Sequence, residues 1–176
     1  MTVRPAARSG GAYAFSVGLD QHALAVTDIQ ALLAVLLDRV PQARPHRTRL
    51  LLILAELFNN ALDHGILKLD SALKSQADGL ARYLAARARG LHELGPALIR
   101  ISVELVEAGN IPTVRITMAD SGPGFAHAAV LASPAAGADR AYGRGIALVT
   151  GLCHSIEYRG NGNEVSVLYH LASAPR

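Results

Sequence analysis

The stretch Ile53-Leu-Ala-Glu-Leu-Phe-Asn-Asn-Ala-Leu-Asp-His-Gly65 constrains this chain more than any other. Residues three and four apart share a helix face, so helical winding puts Glu56, Asn60, Asp63 and His64 on one side. Leu51, Ala55, Phe58 and Leu62 fall on another, which is apolar enough to pack against other elements. The polar side carries acids and amides but no Lys or Arg, which a solvated helix face ordinarily mixes in. Asparagine amides compete with the backbone, so Asn59 and Asn60 in mid-helix cost helix propensity unless something outside the helix uses them. The helix is expected to bury one face and to offer the other to a ligand.

A chain of 176 residues, 51% hydrophobic, can fill one core and suits a single domain over residues 12–173. Residues 1–11 mix Pro, Arg, Ser and Gly without a period, which predicts a disordered leader or linker remnant. Apolar runs such as Leu32 to Leu37 and Leu50 to Leu57 are too short to span a membrane, and Met1 to Gly10 lacks the apolar centre of a signal peptide, so a soluble cytoplasmic protein is expected. The single cysteine, Cys153, excludes a disulfide within the chain and reads as a buried reduced thiol. Net charge is only +3, and the basic residues are scattered rather than interleaved with aromatics, which argues against a nucleic-acid partner.

In chain order, Tyr13, Phe15 and Val17 alternate within a half-buried edge strand over Ala12 to Leu19. Helical spacing then runs from Gln21 to Val40 and is punctuated by Pro41 and Pro45. Between Lys68 and Leu94, Leu73, Ala77, Leu80, Leu84 and Leu91 make one apolar stripe of a long amphipathic helix. Its basic side, with Lys74, Arg82, Arg87 and Arg89, is expected in water, with a dimer or partner surface as the alternative. Ile99 to Leu105 and Val114 to Met118 alternate with period two around a turn at Ala108 to Pro112, so two antiparallel strands deliver Asp120 to a strand end. Ala128 to Tyr142 reads as a mobile lid, Gly145 to Leu152 as a helix, and His154 to Tyr158 and Glu164 to Leu171 as strands joined across Gly160 to Asn163. The sum is an α/β two-layer sandwich: a mixed, mostly antiparallel sheet with its helices on one face.

Three motifs recur in a meaningful order: the E-x-x-x-N-A helix at Glu56, the D-x-G-x-G loop at Asp120 and the G-x-G helix start at Gly143. Together they resemble the N, G1 and G2 boxes of the GHKL ATPases, which include ATP-binding domains of gyrase, a heat-shock chaperone and histidine kinases. The short N-A-x-x-H-G form is most similar to the anti-sigma-factor serine kinases. The resemblance covers about residues 45 to 171 and implies the Bergerat ATP-binding fold.

A carboxylate at a strand end, beside glycines that let backbone approach a ligand, can accept a hydrogen bond from adenine's exocyclic amine, where guanine presents a carbonyl. Asp120 fills that role, and Gly122 and Gly124 carry over as the G1 glycines. Gly143 and Gly145 precede a helix whose free N–H groups suit phosphate, with Arg140 and Arg144 near enough in sequence to add positive charge. By resemblance, Asn60 holds Mg2+ through its amide oxygen, Glu56 is the general base, and Asp63 belongs to the nucleotide-binding set. His64 reads as a structural hydrogen-bonding histidine. The last strand departs from the family: Gly162-Asn163-Glu164-Val165-Ser166-Val167 lacks both usual threonines, leaving the Asn163 amide as the available substitute. The resemblance implies an ATP- and Mg2+-dependent protein serine/threonine kinase that phosphorylates a STAS-domain anti-anti-sigma factor and binds a sigma factor, while the amphipathic stripe between Lys68 and Leu94 leaves a homodimer as an option. A non-catalytic ATP-binding regulatory module, or the C-terminal domain of a larger response regulator, stays open as the alternative, with a histidine kinase catalytic domain third.

Overall fold

A computed structural model describes residues 2–5, 14–70, 73–74, 78–125 and 144–171. Its elements run β1 (Thr2–Pro5), β2 (Ala14–Asp20), α1 (Gln21–Val26), α2 (Ile29–Asp38), a 3-10 turn (Pro41–His46), α3 (Arg47–Asn59), a π-helical continuation (Asn60–Ile66), α4 (Gly79–His92), β3 (Leu98–Ala108), β4 (Ile111–Asp120), α5 (Arg144–Leu152), β5 (Ser155–Arg159) and β6 (Glu164–His170). The six strands form one sheet in the order β1-β2-β3-β4-β6-β5. All five ladders are antiparallel.

Period-two patterning decides which sheet face is covered. Ladder partners such as Val17, Ile101, Met118 and Val165 fall in one row, as do Phe15, Val103, Ile116 and Val167, and all are buried. The neighbouring row on the other face is Ser16, Ser102, Thr117 and Ser166, so that side of the row is polar. Against the apolar side, α3 contributes Leu50, Ile53, Leu54, Leu57 and Phe58, while α2 contributes Leu33, Leu36 and Leu37. The buried stripe of α3 therefore includes Phe58 and Leu62 as the spacing predicts but is centred on Ile53, Leu54 and Leu57, leaving Leu51 and Ala55 half-buried. His46 and Tyr169 close the core at one end, sharing a hydrogen bond of 2.9 Å between Nδ1 and the phenol.

Several boundaries differ from the sequence expectation. Thr2–Pro5, inside the segment expected to be a disordered leader, pair with β2, so β2 is flanked on both sides and is not the edge. The helix expected over Gln21 to Val40 is two helices, because Asp28 caps α2 by accepting from Ala31 N–H at 3.1 Å, as Asp20 caps α1 through Ala23 N–H at 2.9 Å. The long helix expected over Lys68 to Leu94 is only α4, preceded by Asp78 at a left-handed φ of 55°. Of its apolar stripe Leu80 and Leu84 are turned outward, 62% and 55% exposed, whereas Leu91 packs on the core, and Tyr83 on another face is buried. The β3–β4 turn places both Gly109 and Asn110 at positive φ, the backbone that a two-residue hairpin needs. Among the described residues, no helix is long and apolar enough to cross a membrane. Cys153 is half-buried, and burial pushes its thiol up to about 12, which keeps it protonated and inert.

Candidate functional site

Between the helices and the sheet lies a cavity of about 680 Å³, bounded among the described residues by α3 and its π-helical end, α4, the end of β4, the start of α5 and the β5–β6 turn. Asp120 is fixed at one end by its main chain: its N–H donates to the Asn163 carbonyl at 2.9 Å, and the next N–H, of Ser121, donates to Leu98 at 3.0 Å. Its carboxylate accepts from Gly122 N–H at 2.8 Å. Burial pushes the Asp120 carboxyl above its ordinary value, and the Gly122 N–H partly offsets this. Among the described residues one N–H donates to this half-buried carboxylate, which leaves it room to accept from an incoming N–H donor.

Two glycines crowd around this group and a third packs beside it on the β5–β6 turn. A methyl on Gly65 would lie 2.7 to 2.8 Å from Oδ1, Cγ and Oδ2 of Asp120. One on Gly122 would strike the Gly65 carbonyl oxygen, and Gly124, at φ +79°, packs against the Asn161 carbonyl. The motif glycines are there because backbone passes where a side chain cannot. Met118 and Val165 line the same end, and Phe125 meets Tyr158 edge to face at 5.3 Å, supplying apolar walls for a planar base. Burial raises the Tyr158 phenol to about 12, so it stays neutral. The Asn163 amide does not reach toward the carboxylate role of the missing threonines: Nδ2 donates to the Asp120 backbone carbonyl at 3.1 Å. It braces the strand end instead.

At the other end, α5 packs on α3. A methyl on Gly145 would come 2.5 Å from Glu56 Oε2 and 3.8 Å from Asn60 Oδ1, so Glu56, Asn60 and the helix start of α5 converge. Asn60 Nδ2 is buried and has no hydrogen-bond partner among the described residues. A buried unpaired amide is costly, and a polar ligand in the cavity would relieve it. A hard cation also fits here: Asn60 offers one neutral oxygen, and among the described residues no three His, Cys, Asp or Glu side chains gather to hold a metal by themselves. Its other ligands would come from phosphate and water. Gly143 and Arg140 lie outside the described residues, as does the segment Ala128 to Tyr142 expected to be a lid, and Arg144 is described only as the first backbone residue of α5.

The helix bearing these groups changes its winding at Asn60. Leu67 N–H donates to the Leu62 carbonyl at 2.8 Å, five residues back, the widened turn found in π-helical segments and often at functional sites. Asp63 and His64, past this change of winding, line the same cavity as Glu56 and Asn60. Asp63 lines the cavity, but its carboxylate is occupied by Tyr83 OH at 2.9 Å and Arg87 Nε–H at 2.7 Å. His64 donates from Nδ1 to the Leu69 carbonyl at 2.9 Å, the structural part expected of it.

An open antiparallel sheet covered on one face by helices, with a half-buried carboxylate at one end of the interlayer cavity and a glycine helix start at the other, is the arrangement of an ATPase domain. The chain belongs to the histidine kinase-like ATPase domain family, whose model matches residues 19–169. No curated protein matches the chain. Sequence reasoning assigned no role at the site to Gly65, Phe125, Tyr158, Tyr83 or Arg87, all of which line the cavity. The N-A-x-x-H-G motif contained the signal for Gly65. The others approach from distant elements and had none.

Proposed function

We propose that this chain is an ATP- and Mg2+-dependent protein serine/threonine kinase of the anti-sigma-factor type, with a small STAS-domain anti-anti-sigma factor as acceptor and a sigma factor as a second partner. The convergence of Glu56, Asn60 and the α5 helix start carries this reading, because it puts a carboxylate where the anionic end of a nucleotide would lie. Asn60 would hold Mg2+, which when bound neutralises charge on the phosphate oxygens. Asp120 orients adenine, and the N–H groups opening α5 bind phosphate. Glu56 takes the proton of the acceptor hydroxyl while that oxygen bonds to the terminal phosphorus and the bond to the ADP oxygen breaks. Leu80 and Leu84, exposed at the cavity's rim, suit an approaching protein better than a metabolite.

The test is radiolabel transfer from ATP to STAS-domain proteins, with phosphoserine or phosphothreonine as product. Glu56→Gln keeps size and hydrogen bonding but removes the base, so ATP binding should stay nearly intact while transfer falls by roughly 100- to 10,000-fold. A wild-type chain that binds ATP tightly yet labels no STAS protein would instead mark a non-catalytic ATP-binding regulatory module.

A further inference from the structure

Arg87 enters the cavity wall from α4, which lies outside all three nucleotide motifs. Only its Nε–H is used: it donates to Asp63 Oδ1 at 2.7 Å, and Tyr83 OH takes Asp63 Oδ2 at 2.9 Å. The Asp63 side chain is 7% exposed, whereas Arg87 keeps 28% of its surface. A guanidinium carries five N–H donors in a rigid fork, and the two terminal amino groups here make no hydrogen bond to any described residue. A carboxylate with both oxygens engaged holds the fork at its root and leaves the tips to the cavity's contents. Lys74, over the Tyr83 ring at 3.9 Å, lines the same wall, so the segment brings two cations to a cavity that also holds the unpartnered Asn60 amide.

We propose that Arg87 is a polyphosphate-binding residue of this site, with Asp63 and Tyr83 as the positioning residues that hold its guanidinium. The anionic end of the nucleotide is then gripped from two sides, by the start of α5 and by α4. This rests on the cavity being a nucleotide site, and the same measurement separates the two claims. The full chain is titrated calorimetrically with ATP, ADP and adenosine in the presence of Mg2+. A wild type that binds no adenine nucleotide overturns both. Given binding, Arg87→Met should lose about 10- to 100-fold in ATP and ADP affinity, the worth of one or two charge-assisted hydrogen bonds, with adenosine affinity unchanged. Arg87→Lys should recover part of the loss. An Arg87→Met protein with an unaltered ratio of ATP to adenosine affinity overturns the assignment alone and leaves the Arg87–Asp63 pair a structural tie. Should Arg87→Met fail to fold, Arg87→Gln, whose amide can still donate to Asp63, is read by the same ratio.

Discussion

Gly65→Ala should separate stability from nucleotide recognition. Gly65 is not among the residues at positive φ, so alanine is conformationally acceptable there, and in helical backbone Gly to Ala is worth about 1 kcal/mol in favour of folding. The added methyl, however, would sit 2.7 Å from Asp120 Oδ1 and 2.8 Å from both Cγ and Oδ2. No rotation of the methyl relieves this, so the carboxylate must leave, breaking its 2.8 Å bond from Gly122 N–H. The cavity end then lacks its acceptor for the adenine amine. Losing a hydrogen bond to a charged group costs about 1.5 to 3 kcal/mol, or about 10- to 100-fold in affinity. Calorimetry with ATP and GTP, beside a thermal melt, should show a melting point little changed or somewhat lowered, because the broken Gly122 bond offsets the helical gain, with weaker ATP binding and a diminished preference for ATP. Asp120→Asn should lose a similar amount, and the double variant little more than either alone. An alanine variant that binds ATP at wild-type strength with its base preference intact would refute Asp120 as the group that reads the base.

Asp120→Asn should also change the pH dependence of stability. Burial raises the folded-state carboxyl above its unfolded value, so ionisation opposes folding near neutrality, and the variant should be the more stable there, losing its advantage as acid protonates the wild-type group in both states. Denaturant melts with equal differences at neutral and strongly acid pH would contradict this. Asp63→Ala strands the Arg87 guanidinium and the Tyr83 hydroxyl together and should cost about 2 to 3 kcal/mol in urea melts, with a loss under about 0.5 kcal/mol counting against the network. Leu54→Ala, at a fully buried core position, should cost about 2 to 5 kcal/mol by the same measurement. Asn60→Ala should weaken ATP binding in Mg2+ far more than in chelator, and equal losses in the two buffers would remove Asn60 from the metal site.

Local pattern announced the parts of this fold that local physics builds. Alternation marked β3 and β4, the Gly109–Asn110 turn joined them, and Asp120 arrived at a strand end as that register demands. The cap at Asp28 was equally local but sat inside an apolar repeat regular enough to hide it. What could not be read were choices made across the chain. The face of α4 that turns inward is set by Tyr83 and Arg87 meeting Asp63, not by the Leu80–Leu84 stripe, and nothing near residue 83 announces an acid at 63. Likewise the widened turn after Asn60 has no pattern of its own, and nothing local announces that Asp63, while lining the cavity, is tied to α4. Glu56, Asn60, Asp120, Gly124 and Gly145 were legible as a group because motif order compresses a three-dimensional arrangement into sequence, and they line one cavity, with Gly122 behind it donating its N–H to Asp120.

The ladder between β2 and β3 also bears on the order in which the chain can be completed. It joins Val17 to Ile101 and Leu19 to Ile99, so strands made early in synthesis wait for partners that emerge only after all of α1 through α4. Until then Phe15, Val17 and Leu19, all buried in the finished protein, have only the short β1 to pair with. The β3–β4 hairpin, by contrast, needs only a two-residue reversal and can form as soon as it leaves the ribosome. Closing the longer loop costs only about 0.6 kcal/mol more for each doubling of its length, so the delay weighs on the rate of folding rather than on final stability. During that interval the early strands are the part of the nascent chain most in need of shelter from other chains.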